Sequence, residues 1–418
     1  MGNEASSQNL AYGERLQNDV SVEWKPSGQP SPFPAREGHC ACGVGGKLVV
    51  FGGVLEGVQE SNGVISYDVD KGTWSSVQVK GQLPCPRSAA TMSAVGTKLY
   101  LFGGLSHDVG WLDDLFVLDT ETWSWNEVTD TQGPAPSPRD KVASATIGNK
   151  VYFFGGFGPK DGWDTEESTM SEDEEEEEDV GQGAKFTWYD DLYIFDTDTN
   201  TWENPEPIKL GAPTPRAAHA LCAMGKKLVV FGGRDREARK NDLYILDTET
   251  MKWQQCKVSG QQPEPRSFHT ATAVGHRVVI TGGRGLQDQH FADFNIFDTK
   301  TKEWLQPAVH GTKPAPRGMH TATVVADQFV LFGGSSDVDP ETMQCQKRYA
   351  DLFCVPTEEV LSGKSIQVTV EENKENAPAT TAPPQDDPSQ PPKAPTCPDQ
   401  PRKPRSSSWE EGEVPGMV

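Results

Sequence analysis

LVVFGGRDREARKNDLYILDTETMKW, residues 228–253, contains the repeating unit of this chain almost entire. An apolar run stops at Gly232-Gly233, a polar loop follows, a second apolar stretch runs through LYILD, and Trp253 closes the unit. Short runs rich in β-branched and aromatic residues, punctuated by glycine and Asp-Thr turns, read as strands, and nothing here repeats at the spacing of a helix face. The same Gly-Gly pair behind an apolar run stands at 52–53, 103–104, 155–156, 282–283 and 333–334, giving six pairs spaced 51, 52, 77, 50 and 51 residues apart. Each is preceded by an arginine, Arg36 after Ala35 and Arg87, Arg139, Arg216, Arg266 and Arg317 after proline. A period near fifty, with four short strands in each, predicts an all-β repeat protein. A lone four-stranded unit cannot cover both of its faces and must stack on neighbours.

Each unit resembles the kelch repeat, and that resemblance implies a six-bladed β-propeller over residues 21–356. Tryptophans mark the blade ends at Trp74, Trp125 (or Trp123), Trp202, Trp253 and Trp304, while the sixth blade stops at YADLFCV with none. Trp24 precedes the first Gly-Gly pair, so an N-terminal strand around Val22 to Lys25 is expected to supply the last strand of blade six and hide two sheet edges. The spacing of 77 leaves an acidic insertion, residues 160–185, in blade three. That like-charge block is expected to be a disordered loop, as is a Pro/Ser-rich tail over 357–418, and residues 1–20 are expected to be flexible.

Composition narrows the function. A net charge of −23 disfavours nucleic acid. Eight cysteines without CxxC spacing suggest reduced thiols rather than a zinc site. No apolar run reaches the roughly 18 residues of a membrane span, and no secretory leader opens the chain. A cytoplasmic monomer is expected, with access to the nucleus. MGNEAS fits the N-myristoylation pattern on Gly2, which on its own would give weak membrane contact. Lys374-Glu375-Asn376 spells a KEN-type degradation signal in the tail.

In a propeller, the loop after each Gly-Gly pair and the loop leading into each first strand share one face. That face offers Arg234, Arg236, Arg239 and Lys240 in blade four and Arg284 in blade five, with Ser88, Lys141 and Ser267 beside them. Guanidinium groups with hydroxyls suit a carboxylate or phosphate, because the fork donates two parallel bonds to two oxygens. The arginines repeated once per blade are expected to serve contacts between blades, and His39, His219, His269 and His320, at one repeat position, to be structural. No catalytic motif is present, so no enzyme, cofactor or metal is expected. The carboxylates of the acidic insertion are a candidate internal competitor for an anionic ligand.

Within the kelch proteins, FGGRDREARKNDL is similar to the segment of the cullin-RING substrate receptors that read C-terminal glycine degrons. The resemblance implies carboxylate-binding roles for Arg234 and Arg239, a serine role for Ser267, a lysine role for Lys141 and a pocket tryptophan at Trp188. Phe157 matches the family's aromatic approximately, and Pro159 stands where that family has tyrosine. The helical box that docks the ligase adaptor has no counterpart after the propeller. The alternatives are a scaffold of the Rab-effector or host-cell-factor kind and, more remotely, a metal-dependent kelch enzyme.

Overall fold

The computed structural model describes residues 19–28, 30–160, 186–207, 211–342 and 344–363. They form six antiparallel four-stranded blades in a β-propeller. Blade four shows the plan: Ala220–Met224, Lys227–Phe231, Leu243–Asp247 and Lys252–Gln255 pair in chain order. The Gly-Gly pair ends strand two because two close approaches meet there. Gly232 and Gly233 have φ of 62° and 93°. A Cβ on Gly232 would lie 2.9 Å from the Arg266 carbonyl of blade five, and one on Gly233 would lie 2.5 Å from Cβ of His219. Only glycine tolerates both the left-handed φ and that crowding.

Aromatic residues stitch neighbouring blades. Trp125 meets Phe51 of blade one at 5.2 Å, Trp253 meets Phe154 of blade three at 5.1 Å, and Trp304 meets Phe231 of blade four at 5.1 Å. Trp125, fully buried, is the blade-ending residue of blade two, which settles the choice against Trp123. Each such pair contributes about 0.5–1.5 kcal/mol beyond its burial. Blade five has Thr281 where the others have phenylalanine, and there Trp24 turns to Phe294 at 5.4 Å.

Trp24 arrives as the sequence implies. Strand Ser21–Pro26 pairs antiparallel with Leu352–Pro356, Lys25 opposite Cys354, and so becomes the fourth strand of blade six. Ala308–Gly311 then runs parallel along its outer edge. The first and the last described strands share one sheet, and the ring closes without an open seam.

Two expectations need correction. Residues 357–363 belong to the folded body: Thr357–Leu361 is a short helix, Val360 is buried, and Arg277 donates to the carbonyls of Val360, Ser362 and Gly363. One turn with one buried apolar residue is too short to leave a periodic signal. The remaining tail (364–418), residues 161–185 of the acidic insertion, and Gly2 lie outside the described residues. The repeated arginines, expected between blades, direct their side chains inward to their own blade. Arg216 donates Nη1 and Nη2 to Asp242 at 2.6 and 3.0 Å, and Nη1 to the Gly232 carbonyl at 2.9 Å. Only its backbone crosses, the carbonyl accepting from the Gly156 N–H of blade three at 2.9 Å and the N–H donating to the Tyr189 carbonyl at 3.0 Å.

The repeated histidines lie between blades. His269 Nε2 lies 3.1 Å from the Phe231 carbonyl of blade four. Burial, with the charge of Arg216, pushes His219 down to about 3. Burial, with Arg317 and His290, does the same to His320.

Candidate functional site

The mouth of the propeller is built on a ring of backbone hydrogen bonds. Lys141 N donates to Ala89 O, Ala218 to Lys141, Phe268 to Ala218, Met319 to Phe268, Gly38 to Met319 and Ala89 to Gly38, all at 2.8–3.0 Å. The six residues, one per blade, close the circle, and every one has φ between 51° and 62°. Five of them carry side chains in a region that L residues rarely adopt. The circle satisfies each N–H and carbonyl, which is what holds the strained geometry.

Immediately before each ring residue, the chain forms a two-bond bridge to the residue after its own Gly-Gly pair. Ser88 pairs with Leu105, Asp140 with Phe157, Ala217 with Arg234, Ser267 with Arg284 and Gly318 with Ser335, while Glu37 pairs with Val54. Six side-chain positions thus surround the mouth: Val54, Leu105, Phe157, Arg234, Arg284 and Ser335. Blades one to three supply apolar groups and blades four to six supply cations and a hydroxyl.

The cationic half is tightly organised. Arg239, opposite Arg234 in its loop, donates Nε to Ser267 Oγ at 3.0 Å and Nη1 to the Gly285 carbonyl at 2.8 Å. Its Nη2 lies 2.8 Å from Asp288 Oδ1, and the same oxygen accepts Arg284 Nε at 2.8 Å. Burial pushes the Arg239 pKa down, Asp288 pulls it back, and the neighbouring charges of Arg284 and Arg234 lower it again. Burial alone would raise Asp288, yet its bonds to Arg284 and Arg239 hold it below the usual carboxylate range. Two guanidinium groups therefore share one carboxylate, and the charge of a third, Arg234, acts on Arg239. Arg284 is buried, and its Nη2 has no hydrogen-bond acceptor. His290, bridged to Arg284, is lowered to about 4 by burial and by the Arg284 charge, so it is neutral near pH 7. Lys240 is drawn off to Asp235 at 2.8 Å, and Arg234 and Arg236 are exposed.

The other expected residues gather in blade three. Phe157–Pro159 pairs with Phe186–Trp188, which brings the Phe157 and Trp188 rings to 4.9 Å. Phe186 and Trp111 join them, with ring centroids 4.9 Å apart. Lys141 Nζ is held by Asp140 at 2.5 Å and lies 5.9 Å from the Phe157 ring. Arg234, Arg239, Ser267 and Arg284 thus form one group, and Lys141 and Trp188 a second, linked through the backbone ring from Lys141 to Ala218 and Phe268. Asp288, His290, Phe186 and Trp111 were not singled out from the sequence. Asp288 sits four residues past Arg284 in a Gly-rich loop and could have been found as the acid nearest Arg284 in the sequence. Nothing in the sequence marks His290.

Among the described residues, no three His, Cys, Asp or Glu side chains come together as metal ligands, and seven cysteines are free thiols.

The chain matches the KLHDC2/KLHL20/DRC7 Kelch-repeats domain over residues 12–171 and 180–370. It is 34% identical over 316 residues to human Kelch domain-containing protein 1, covering 72% of this chain and 76% of that protein. Bovine Kelch domain-containing protein 2 is 31% identical over 318 residues with the same two shares. Human Host cell factor 2 is 30% identical over 275 residues, which is 57% of this chain and 33% of that protein. Six Gly-Gly blades, their tryptophan contacts and these matches make the chain a kelch-repeat propeller of the KLHDC2/KLHL20/DRC7 family, a protein-interaction module.

Proposed function

We propose that the propeller mouth captures the carboxylate end of a protein or peptide. The observation that carries this is the convergence of Arg239 and Arg284 on the single carboxylate of Asp288, with the charge of Arg234 acting on Arg239 and Arg284 Nη2 left without an acceptor. A ligand carboxylate would take bonds from this cluster and from Ser267 Oγ, charge-assisted and shielded from bulk water. Residues preceding the peptide end would lie toward Phe157 and Trp188, with Lys141 at the edge of that apolar half. Asp288 acts as an internal stand-in that the ligand displaces.

In this reading the module binds and does not catalyse. Delivery of the captured protein to a ubiquitin ligase is the downstream role implied by the likeness to C-terminal-degron receptors. The second reading is a scaffold of the host-cell-factor kind whose propeller holds an internal acidic segment. Fluorescence polarisation with a C-terminal peptide library separates them. Binding that needs the free carboxylate and disappears in Arg234→Ala/Ser267→Ala supports end capture. Equal binding of amidated peptides overturns it in favour of the scaffold.

A further inference from the structure

Blade one breaks the arginine pattern of the other five. Arg87, Arg139, Arg216, Arg266 and Arg317 each fork onto an aspartate of their own blade: Asp114, Asp191, Asp242, Asp293 and Asp351. Backbone bonds identify the matching position in blade one. The first glycine of the pair donates to the aspartate carbonyl, Gly103 to Asp114 at 3.2 Å, Gly155 to Asp191 at 3.2 Å, Gly232 to Asp242 at 3.1 Å and Gly333 to Asp351 at 3.2 Å. In blade one, Gly52 donates to Gly63 at 3.3 Å. The preceding residue agrees: Asn62 Nδ2 bonds to the Pro84 carbonyl as Asn241 Nδ2 bonds to that of Pro263.

Gly63 therefore stands where five blades place a carboxylate. Arg36 is nonetheless retained, only 3% exposed, with Nη1 on the Gly52 carbonyl at 3.2 Å, as its counterparts bond theirs. Among the described residues no carboxylate is paired with it, and its buried Nε also lacks the carbonyl, two residues back, that the five counterparts bond. Burial, unopposed by any anion, lowers its pKa to about 10. A buried guanidinium without a counter-ion is costly. The place is open and reachable. A Cβ on Gly63 would meet only Ser61 Oγ, at 3.3 Å. The five clamp aspartates are between 21% and 42% exposed, and in blade five Arg266 and Asp293 line a surface cleft of about 320 Å³.

We infer that Arg36, over the open position at Gly63, is a second anion site that takes a carboxylate from outside the chain, in the geometry that the other blades complete internally. The carboxylate belongs to a small organic acid or to an Asp or Glu side chain of a bound protein. The inference is independent of the reading of the mouth.

Gly63→Asp and Gly63→Asn in the full chain test it, the pair differing in charge and hardly in size. The Asp variant is expected to melt about 2 °C above wild type, and the Asn variant not to. Formate, against chloride at equal ionic strength, should raise the melting temperature of wild type and of Gly63→Asn but leave Gly63→Asp unmoved. Asp114→Gly, which recreates the arrangement in blade two, should acquire the same formate response. N-acetylaspartate amide acting at lower concentration than formate would identify a protein side chain as the natural source, and the reverse order a small acid. Identical melting of the Asp and Asn variants, or an equal formate response in wild type and Gly63→Asp, overturns the inference.

Discussion

The clamp arginines at the blade lead-ins and the arginines of the mouth use the same side chain in opposite ways. Arg216 has its own aspartate, its own glycine carbonyl and almost no exposure. Arg239 and Arg284 must share Asp288, with Arg234 close enough to depress Arg239 further. A satisfied buried pair holds a fold, whereas surplus cation beside one carboxylate retains binding capacity. The difference separates frame from site.

Acid should break the frame first. His219 and His320 are neutral in the fold, lowered to about 3, while the unfolded chain takes up protons near the ordinary histidine value of about 6.5. A lowered folded pKa means that stability is full above about pH 6.5 and drains away as pH falls toward 3. At about pH 5 each of the two should cost roughly 2 kcal/mol. Melting curves between neutral pH and pH 5 check this, and a flat profile would contradict it. His290, lowered to about 4, keeps the mouth's charge unchanged over the same interval.

Next in size, Arg216→Ala should destabilise by about 3 kcal/mol in chemical denaturation, because it strands Asp242 and the Gly232 carbonyl. Arg239→Ala, at a site that shares its carboxylate, should change stability by less than about 1 kcal/mol. Equal losses in the two variants would erase the distinction. In the mouth, Arg239→Ala combined with Ser267→Ala should weaken a free-carboxylate peptide by about 100-fold, close to 2.7 kcal/mol. The smaller effect on binding, about tenfold tighter peptide binding, is expected for Asp288→Asn, which removes the internal competitor. Weaker binding would instead make Asp288 a positioning residue for the two guanidinium groups.

Much of the frame was legible because it repeats. Six glycine pairs fixed the number of blades, and Trp24, out of phase with the others, told where the ring closes. The clamp was only half legible: one arginine per blade is visible in the sequence, but its direction is not. The partner aspartate lies 26 or 27 residues away in most blades, 34 in blade six and 52 in blade three, so no fixed spacing announces the pair. In the mouth, the cations and Ser267 stood out by composition in an acidic chain. Asp288 and His290 did not, because their meaning depends on where a Gly-rich loop turns, and the left-handed Asp288, φ 60°, has no local requirement that names it.

The sequence by itself determined the strand menu, the blade count and the closing strand, since each depends on local pattern or on a recurring period. Tertiary structure alone decided which cations share a carboxylate, which arginine has none, and that Ala89, Lys141, Ala218, Phe268, Met319 and Gly38 join in one circle of hydrogen bonds. Those six residues have no one side-chain type common to all and lie far apart in the chain. Their common left-handed geometry costs energy in isolation and becomes favourable only when all six blades are present to satisfy it.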